Sequence, residues 1–177
     1  FEIPKLNATI TIINIFFICL TFIISSPKIF SKILGGKSAQ NFIPPPYFSG
    51  EFGCVGCEAK CVDACDKGLL NFDGESVKFE FKHAGCDFCK KCAIACEGLE
   101  RGVLNLKFQA RILAQTKIDV RVCLAWNGTV CYNCQDVCKF AAIDFLGVFR
   151  PTVNDRCVNC AQCLEVCFVN SIKMEAI

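Results

Sequence analysis

The sequence predicts an α+β fold made of two small domains in tandem, each held together by bound metal. Two observations lead to this prediction. Sixteen of the 17 cysteines fall into four groups of four with closely similar spacing, and comparable short segments follow each group. The 177 residues therefore divide into units too short to bury a large apolar core, and such units commonly depend on metal for stability. We expect metal binding to supply much of their folding free energy.

The four cysteine tetrads have the spacing of iron–sulfur ligands. They are Cys54, Cys57, Cys61, Cys65; Cys86, Cys89, Cys92, Cys96; Cys123, Cys131, Cys134, Cys138; and Cys157, Cys160, Cys163, Cys167. The second and fourth tetrads read C-x2-C-x2-C-x3-C. In this run the first three cysteines hold one [4Fe-4S] cluster and the fourth binds the neighbouring cluster. The sequence therefore predicts four [4Fe-4S] clusters in tandem bacterial dicluster ferredoxin-like domains.

The same rule predicts that ligand sets are crossed between tetrads, because the fourth cysteine of each run completes the other cluster of its domain. The predicted sets are Cys54, Cys57, Cys61 with Cys96; Cys86, Cys89, Cys92 with Cys65; Cys123, Cys131, Cys134 with Cys167; and Cys157, Cys160, Cys163 with Cys138. All sixteen are predicted metal ligands. No catalytic residue is predicted.

Zinc sites and disulfides are the competing interpretations of so many cysteines. A zinc ion takes four ligands, usually as two separated pairs, so three closely spaced cysteines would crowd one ion and leave the fourth without a role. Cysteines two residues apart in a turn rarely reach the geometry of a good disulfide. The spacing therefore favours clusters over both alternatives.

An internal repeat sets the domain boundaries. Each tetrad is followed by a short, mostly apolar pair: Leu69 and Leu70, Val103 and Leu104, Ala142 and Ile143, and Ser171 and Ile172. We expect each repeat to be a loop, a short helix that carries the fourth cysteine, and a strand. Two repeats form one domain, which gives residues 51–106 and 107–177. Between them, six apolar residues of the connecting stretch are expected to pack against both domains: Leu106, Phe108, Ile112, Leu113, Ile118 and Val120.

Residues 1–37 form an apolar segment that is a candidate membrane anchor. The run from Leu6 to Pro27 carries no charge. As a helix it would be about 33 Å long, enough to cross a hydrocarbon core of about 30 Å. Lysines follow the run directly, which places the carboxyl-terminal side at the cytoplasmic face. A signal peptide is disfavoured because no A-x-A-like site follows, and a start that is not native is the remaining alternative.

Residues 38–50 read as a stiff proline-rich linker, since Pro44, Pro45 and Pro46 follow one another. Beyond it, residues 51–177 contain 15 Lys and Arg against 16 Asp and Glu. Bound clusters would add negative charge, so nucleic acid is not an expected partner. No glycine-rich phosphate loop occurs, so neither flavin nor nicotinamide is expected. Electrons must then come from a protein redox partner.

The third tetrad carries a family resemblance. Its C-x7-C-x2-C-x3-C spacing, the Cys123, Leu124, Ala125 at its head and the closing Val169, Asn170, Ser171, Ile172 resemble the NapF ferredoxin-type accessory proteins of periplasmic nitrate reductase. Pro46 and Tyr47 before the first tetrad are similar too. The resemblance covers about residues 44–177. It implies a cytoplasmic four-cluster protein that assists maturation of the nitrate reductase catalytic subunit, by supplying electrons or clusters.

Two features depart from that family pattern. Family members usually lack a membrane segment, so the apolar run here leaves either a soluble protein or attachment at the cytoplasmic face of the inner membrane open. The first tetrad has three residues between Cys57 and Cys61, with Lys60 among them, where two are expected. We expect its cluster to be the most labile.

Three function classes follow from these observations. The first is an electron-transfer or accessory protein, not itself an enzyme, in nitrate reductase maturation. The second is an electron-transfer subunit of a membrane-bound oxidoreductase, of the quinol dehydrogenase type, which the apolar segment favours. The third is a purely structural cysteine-rich module.

Overall fold

Short elements connected by cysteine-bearing loops make up the fold. The computed structural model describes residues 42–99 and 102–177, which belong to one compact unit, Ala39–Ile177. The helices are α1 Lys60–Asp63, α2 Lys91–Glu97, α3 Asn133–Asp136 and α4 Gln162–Glu165. The strands are β1 Leu70–Phe72, β2 Val77–Phe79, β3 Ala114–Ile118, β4 Ile143–Leu146, β5 Phe149–Val153 and β6 Ile172–Ala176.

Residues 42–106, here called the first half, and residues 107–177, the second half, share one layout. Each has an inner antiparallel hairpin, β1–β2 in the first half and β4–β5 in the second. Each is also closed by pairing of its two ends. In the second half β3 pairs antiparallel with β6, with Ile118 opposite Ile172, whereas in the described residues of the first half the ends meet at an isolated bridge between Phe48 and Leu104. The described residues are thus mixed α and β, compatible with a ferredoxin-like fold.

The turn of the first hairpin shows how the local sequence forms these elements. Asp73 accepts hydrogen bonds from the backbone N–H groups of Glu75 and Ser76, an Asx-type turn in which Gly74 has a φ of 96°. Lys78 pairs with the same carboxylate at 2.6 Å, and its hydrogen bond is the main cause that holds the pKa of Asp73 well below its usual range. A two-stranded hairpin is marginal alone, and such side-chain bonds fix its register.

The short helices carry the third cysteine of each tetrad, which corrects the expectation that they carry the fourth. Cys61, Cys92, Cys134 and Cys163 are helical, whereas of the fourth cysteines only Cys96 is. The other helices end two residues before the fourth cysteine. A turn residue follows each of these three helices directly and leads to the fourth cysteine.

The described part of the predicted proline-rich linker packs into the domain. Pro44, Pro45 and Pro46 are buried. Tyr47 is also buried, accepts a hydrogen bond from Asn105 N–H at 2.9 Å and donates its own N–H to the Gln109 carbonyl at 3.2 Å. This segment therefore serves as an edge of the first half and does not act as an exposed spacer there.

The expectation that the connecting stretch packs through six apolar residues is mostly wrong. Ile112 is fully buried, but Leu106, Phe108, Leu113 and Val120 are exposed. The four exposed residues all lie outside β3, in the turns and loops on either side of it, whereas Ile118 at the end of β3 is half-buried.

One apolar cluster runs through the first half and into the second. It includes Leu69, Leu104 and Ile112, together with Ala161, which directly precedes α4, and Leu164 and Met174 pack against it. The division of the chain into two domains between residues 106 and 107 stays a prediction.

Within residues 42–99 and 102–177, no helix is long and apolar enough to cross a membrane. The apolar run of residues 6–27, the candidate membrane anchor, lies outside this part of the chain.

Candidate metal centres

Four small cavities are each lined by four cysteines, three from one tetrad and one from another. Cavity 1 is lined by Cys54, Cys57, Cys61 and Cys96; cavity 2 by Cys65, Cys86, Cys89 and Cys92; cavity 3 by Cys123, Cys131, Cys134 and Cys167; and cavity 4 by Cys138, Cys157, Cys160 and Cys163. These groups coincide with the crossed sets expected from the sequence. Their occupation by clusters stays a prediction.

The sulfur chemistry of these cavities fits an iron–sulfur cluster. The sixteen cysteines of the described residues are all free. In residues 42–99 and 102–177, no group of three or more Cys, His, Asp or Glu residues is placed to hold a single metal ion. A cluster of four irons spreads its ligands around a wider cavity than one ion does, so four separated thiols facing one cavity suit the cluster.

Burial makes the thiols of these cavities hard to ionise. It raises the pKa of Cys61, Cys86 and Cys134 to about 11 and that of Cys92 and Cys163 to about 12. Neighbouring cysteines of the same cavity add to the effect, as Cys96 does for Cys61. Without iron these sulfurs are protonated, whereas a metal ligand must be a thiolate. Iron would therefore supply the positive charge that this buried environment lacks.

Backbone N–H groups point at the fourth cysteine of every tetrad. Cys65, Cys138 and Cys167 each accept a hydrogen bond from the residue four positions later, at distances of 3.4, 3.2 and 3.3 Å. Cys96 accepts one from Leu104, eight positions later, at 3.3 Å. The apolar pairs noted in the sequence supply these donors, and their burial keeps water from competing. Such N–H···S bonds tune cluster potential.

Sequence reasoning missed the side chain of Ser171. Its hydroxyl lies 3.2 Å from Cys167 Sγ, in addition to the backbone bond. Burial acts to raise the pKa of Cys167, but the hydrogen bonds of Ser171 and its neighbours outweigh it, and the pKa falls below its usual value. A cluster-bound thiolate only accepts, so the hydroxyl would donate. At the equivalent positions of the other tetrads stand Leu69, Leu104 and Ala142, which offer no hydroxyl.

Replacing Ser171 with alanine should lower the reduction potential associated with cavity 3. A hydrogen-bond donor to a ligand sulfur stabilises the reduced cluster, which carries more negative charge. Removing that donor therefore favours the oxidised cluster. Hydrogen bonds to charged groups are worth about 1.5–3 kcal/mol, only part of which differs between oxidation states, so the shift should be on the order of tens of millivolts. The measurement is a redox titration followed by electron paramagnetic resonance (EPR).

Ala142→Ser is the matched reverse variant, because Ala142 N–H already donates to Cys138 Sγ. It should raise the potential associated with cavity 4. Equal potentials in wild type and in both variants would show that the hydroxyl has no tuning role.

The extra residue of the first tetrad is Glu58. Residues with positive φ precede three of the helices: Ala59 before α1, Lys90 before α2 and Ala161 before α4. Lys90 and Ala161 follow the second cysteine directly, whereas Glu58 separates Cys57 from Ala59. Lys60 is simply the first residue of α1. Cys54, Cys61 and Cys96 are buried nonetheless.

Aromatic side chains beside the ligands shield them unequally. Phe88 lines cavity 2 and is half-buried, whereas Phe140, which lines cavity 4, is exposed. Phe168 touches cavity 3 but is 83% exposed, so it shields its cavity least of the three.

Comparison with known proteins identifies the family. "Ferredoxin-type protein NapF" of Escherichia coli K12 is 31% identical to the chain over 153 residues, covering 78% of this chain and 88% of the relative, and the protein of that name from strain O157:H7 matches equally. The Haemophilus influenzae Rd protein of the same name is 44% identical over 64 residues, or 33% of this chain and 36% of the relative. No protein-family profile matches, and no solved structure matches. The chain belongs to the NapF family of ferredoxin-type proteins.

Proposed function

We propose that this chain is a four-cluster iron–sulfur protein that transfers electrons, or acts as an accessory protein, in the maturation of periplasmic nitrate reductase. We place it in the cytoplasm, with the nitrate reductase catalytic subunit as its protein partner. It has no catalytic role of its own in this proposal. When bound, each [4Fe-4S] cluster would carry one electron.

The crossed lining of the four cavities carries this proposal. Every cavity combines three cysteines of one tetrad with the fourth of another, the arrangement that dicluster domains use. The protein supplies backbone donors to sulfur and a mostly apolar lining of each cavity. Membership of the NapF family supports the connection to nitrate reductase that the sequence resemblance implies.

Anaerobic affinity purification of the full chain from its native cells tests the proposal. Iron and acid-labile sulfide are counted, and bound proteins are identified. Recovery of about four irons and four sulfides per cavity, together with the immature nitrate reductase subunit, is the expected result. Recovery with a quinol-oxidising membrane protein would replace the proposal by the electron-transfer subunit alternative. A colourless, iron-free preparation would leave only a structural module.

Cavity 1 should lose iron first in air, because Glu58 lengthens the loop that positions two of its ligands. Deleting Glu58 restores the shorter spacing and should increase the iron retained after a fixed air exposure. Deletion of Glu51, outside the tetrad, is the control and should change nothing. An iron count that stays full in wild type after exposure would contradict the prediction.

A further inference from the structure

The two halves touch through the loops of cavities 2 and 4. Cys86 N–H donates to the Cys160 carbonyl at 2.7 Å, a direct backbone bond between one residue lining cavity 2 and one lining cavity 4. Gly85 N–H donates to Glu165 Oε2 at 3.2 Å, and Lys67 Nζ donates to the Gly85 carbonyl at 2.9 Å. Three hydrogen bonds thus converge on two adjacent residues.

Gly85 allows this approach because it has no side chain. A Cβ atom at this position would lie 2.4 Å from Gln162 N and 2.6 Å from Gln162 Cα, so backbone would have to move. Gly53 occupies the matching place before Cys54, and a Cβ there would meet only Val103 Cγ2 at 3.8 Å. The close approach is therefore particular to Gly85.

Aromatic rings span the same contact. The rings of Phe88 and Phe140 meet edge to face, with centroids 6.0 Å apart, and each lines the cavity of its own half. Phe88 has a φ of 56°, which is costly for a bulky residue. At the same place, two residues after the first cysteine, Gly56 and Asn159 also have positive φ, and both tolerate it better. Tyr47 O–H donates to the Phe88 carbonyl at 2.9 Å and so helps to hold it.

We propose that cavities 2 and 4 are adjacent electron-transfer sites, and that the contact of Gly85, Cys86 and Phe88 with Phe140, Cys160 and Gln162 is the place where an electron crosses between the halves. This inference rests on the proposed function. The cysteines of cavities 2 and 4 would hold the two clusters, which would supply the electron donor and the acceptor, so the electron lost by one would be gained by the other.

Two double variants of the full chain test the order of the sites. Cys57→Ala with Cys131→Ala empties cavities 1 and 3, whereas Cys89→Ala with Cys160→Ala empties cavities 2 and 4. After reduction under anaerobic conditions, EPR should show mutual broadening of the two remaining signals in the first variant and isolated signals in the second. If the first variant retains its iron but its two EPR signals show no mutual broadening, the proposal is overturned. Equal broadening in both double variants would overturn it as well.

Gly85→Ala tests the contact itself, with Gly53→Ala as the matched control. In the background that keeps cavities 2 and 4 loaded, Gly85→Ala should reduce the broadening while iron and sulfide stay unchanged, because the backbone must move to admit the Cβ and so separates the two sites, and Gly53→Ala should preserve it. Phe88→Asn is a second variant, which relieves the strained φ and removes one ring; it should slow electron transfer between the two sites, followed after rapid reduction, while the broadening stays. Full broadening in Gly85→Ala, or an unchanged transfer rate in Phe88→Asn, with iron retained, would refute the contact as the crossing point. Absence of iron from the wild type would instead refute the proposed function.

Discussion

Combining Cys65→Ala with Cys89→Ala should cost the protein about one quarter of its iron, and combining Cys65→Ala with Cys57→Ala should cost about half. The reason is the crossed lining of the cavities. Cys65 and Cys89 face cavity 2 together, whereas Cys57 faces cavity 1. Iron and sulfide counts on the anaerobically purified variants make the measurement.

The second half provides a matched repeat of this experiment. Cys138→Ala with Cys160→Ala should remove about one quarter of the iron, and Cys138→Ala with Cys134→Ala about half, because Cys134 faces cavity 3. If each tetrad instead held its own cluster, the two outcomes would be exchanged in both halves. That exchange would rule out crossed ligand sets.

Removing the iron with a chelator should unfold most of the chain. The described helices have four to seven residues and the strands three to five, and isolated helices below about 12 residues are marginal in water. Bound clusters would replace much of the apolar core that would otherwise hold such short elements together. Cluster binding and folding are therefore coupled. Far-UV circular dichroism should lose most of its helical and strand signal at 25 °C, and the thermal transition should disappear.

Reconstitution with iron and sulfide is the control for this unfolding. It should restore both the spectrum and the transition, which separates loss of metal from irreversible damage. An iron-free chain that keeps its spectrum and melts cooperatively would show that the apolar cluster around Leu69, Leu104 and Ile112 suffices for folding.

The spacing of the cysteines by itself determined much about this protein. It predicts four groups of ligands, their crossed composition, and an α+β fold of short repeated elements, because ligand spacing in a tight loop is a local property. It also carried the NapF resemblance. The spacing did not predict where the helices end. It indicates that a helix follows each loop, but it does not show that three of these helices end before the fourth cysteines, Cys65, Cys138 and Cys167.

Only the tertiary structure decided which residues meet across the sequence. A run of three prolines looks like a spacer, and its burial depends on Tyr47 pairing with Asn105 and Gln109. In the sequence, Ser171 is one member of a mostly apolar pair. Only the fold shows that its hydroxyl lies beside Cys167. Gly85 and Gln162 are far apart along the chain, and their approach follows from how the two halves pack. Local patterns encode ligands and turns, whereas contacts between distant segments depend on the summed packing of many residues, which spacing alone does not reveal.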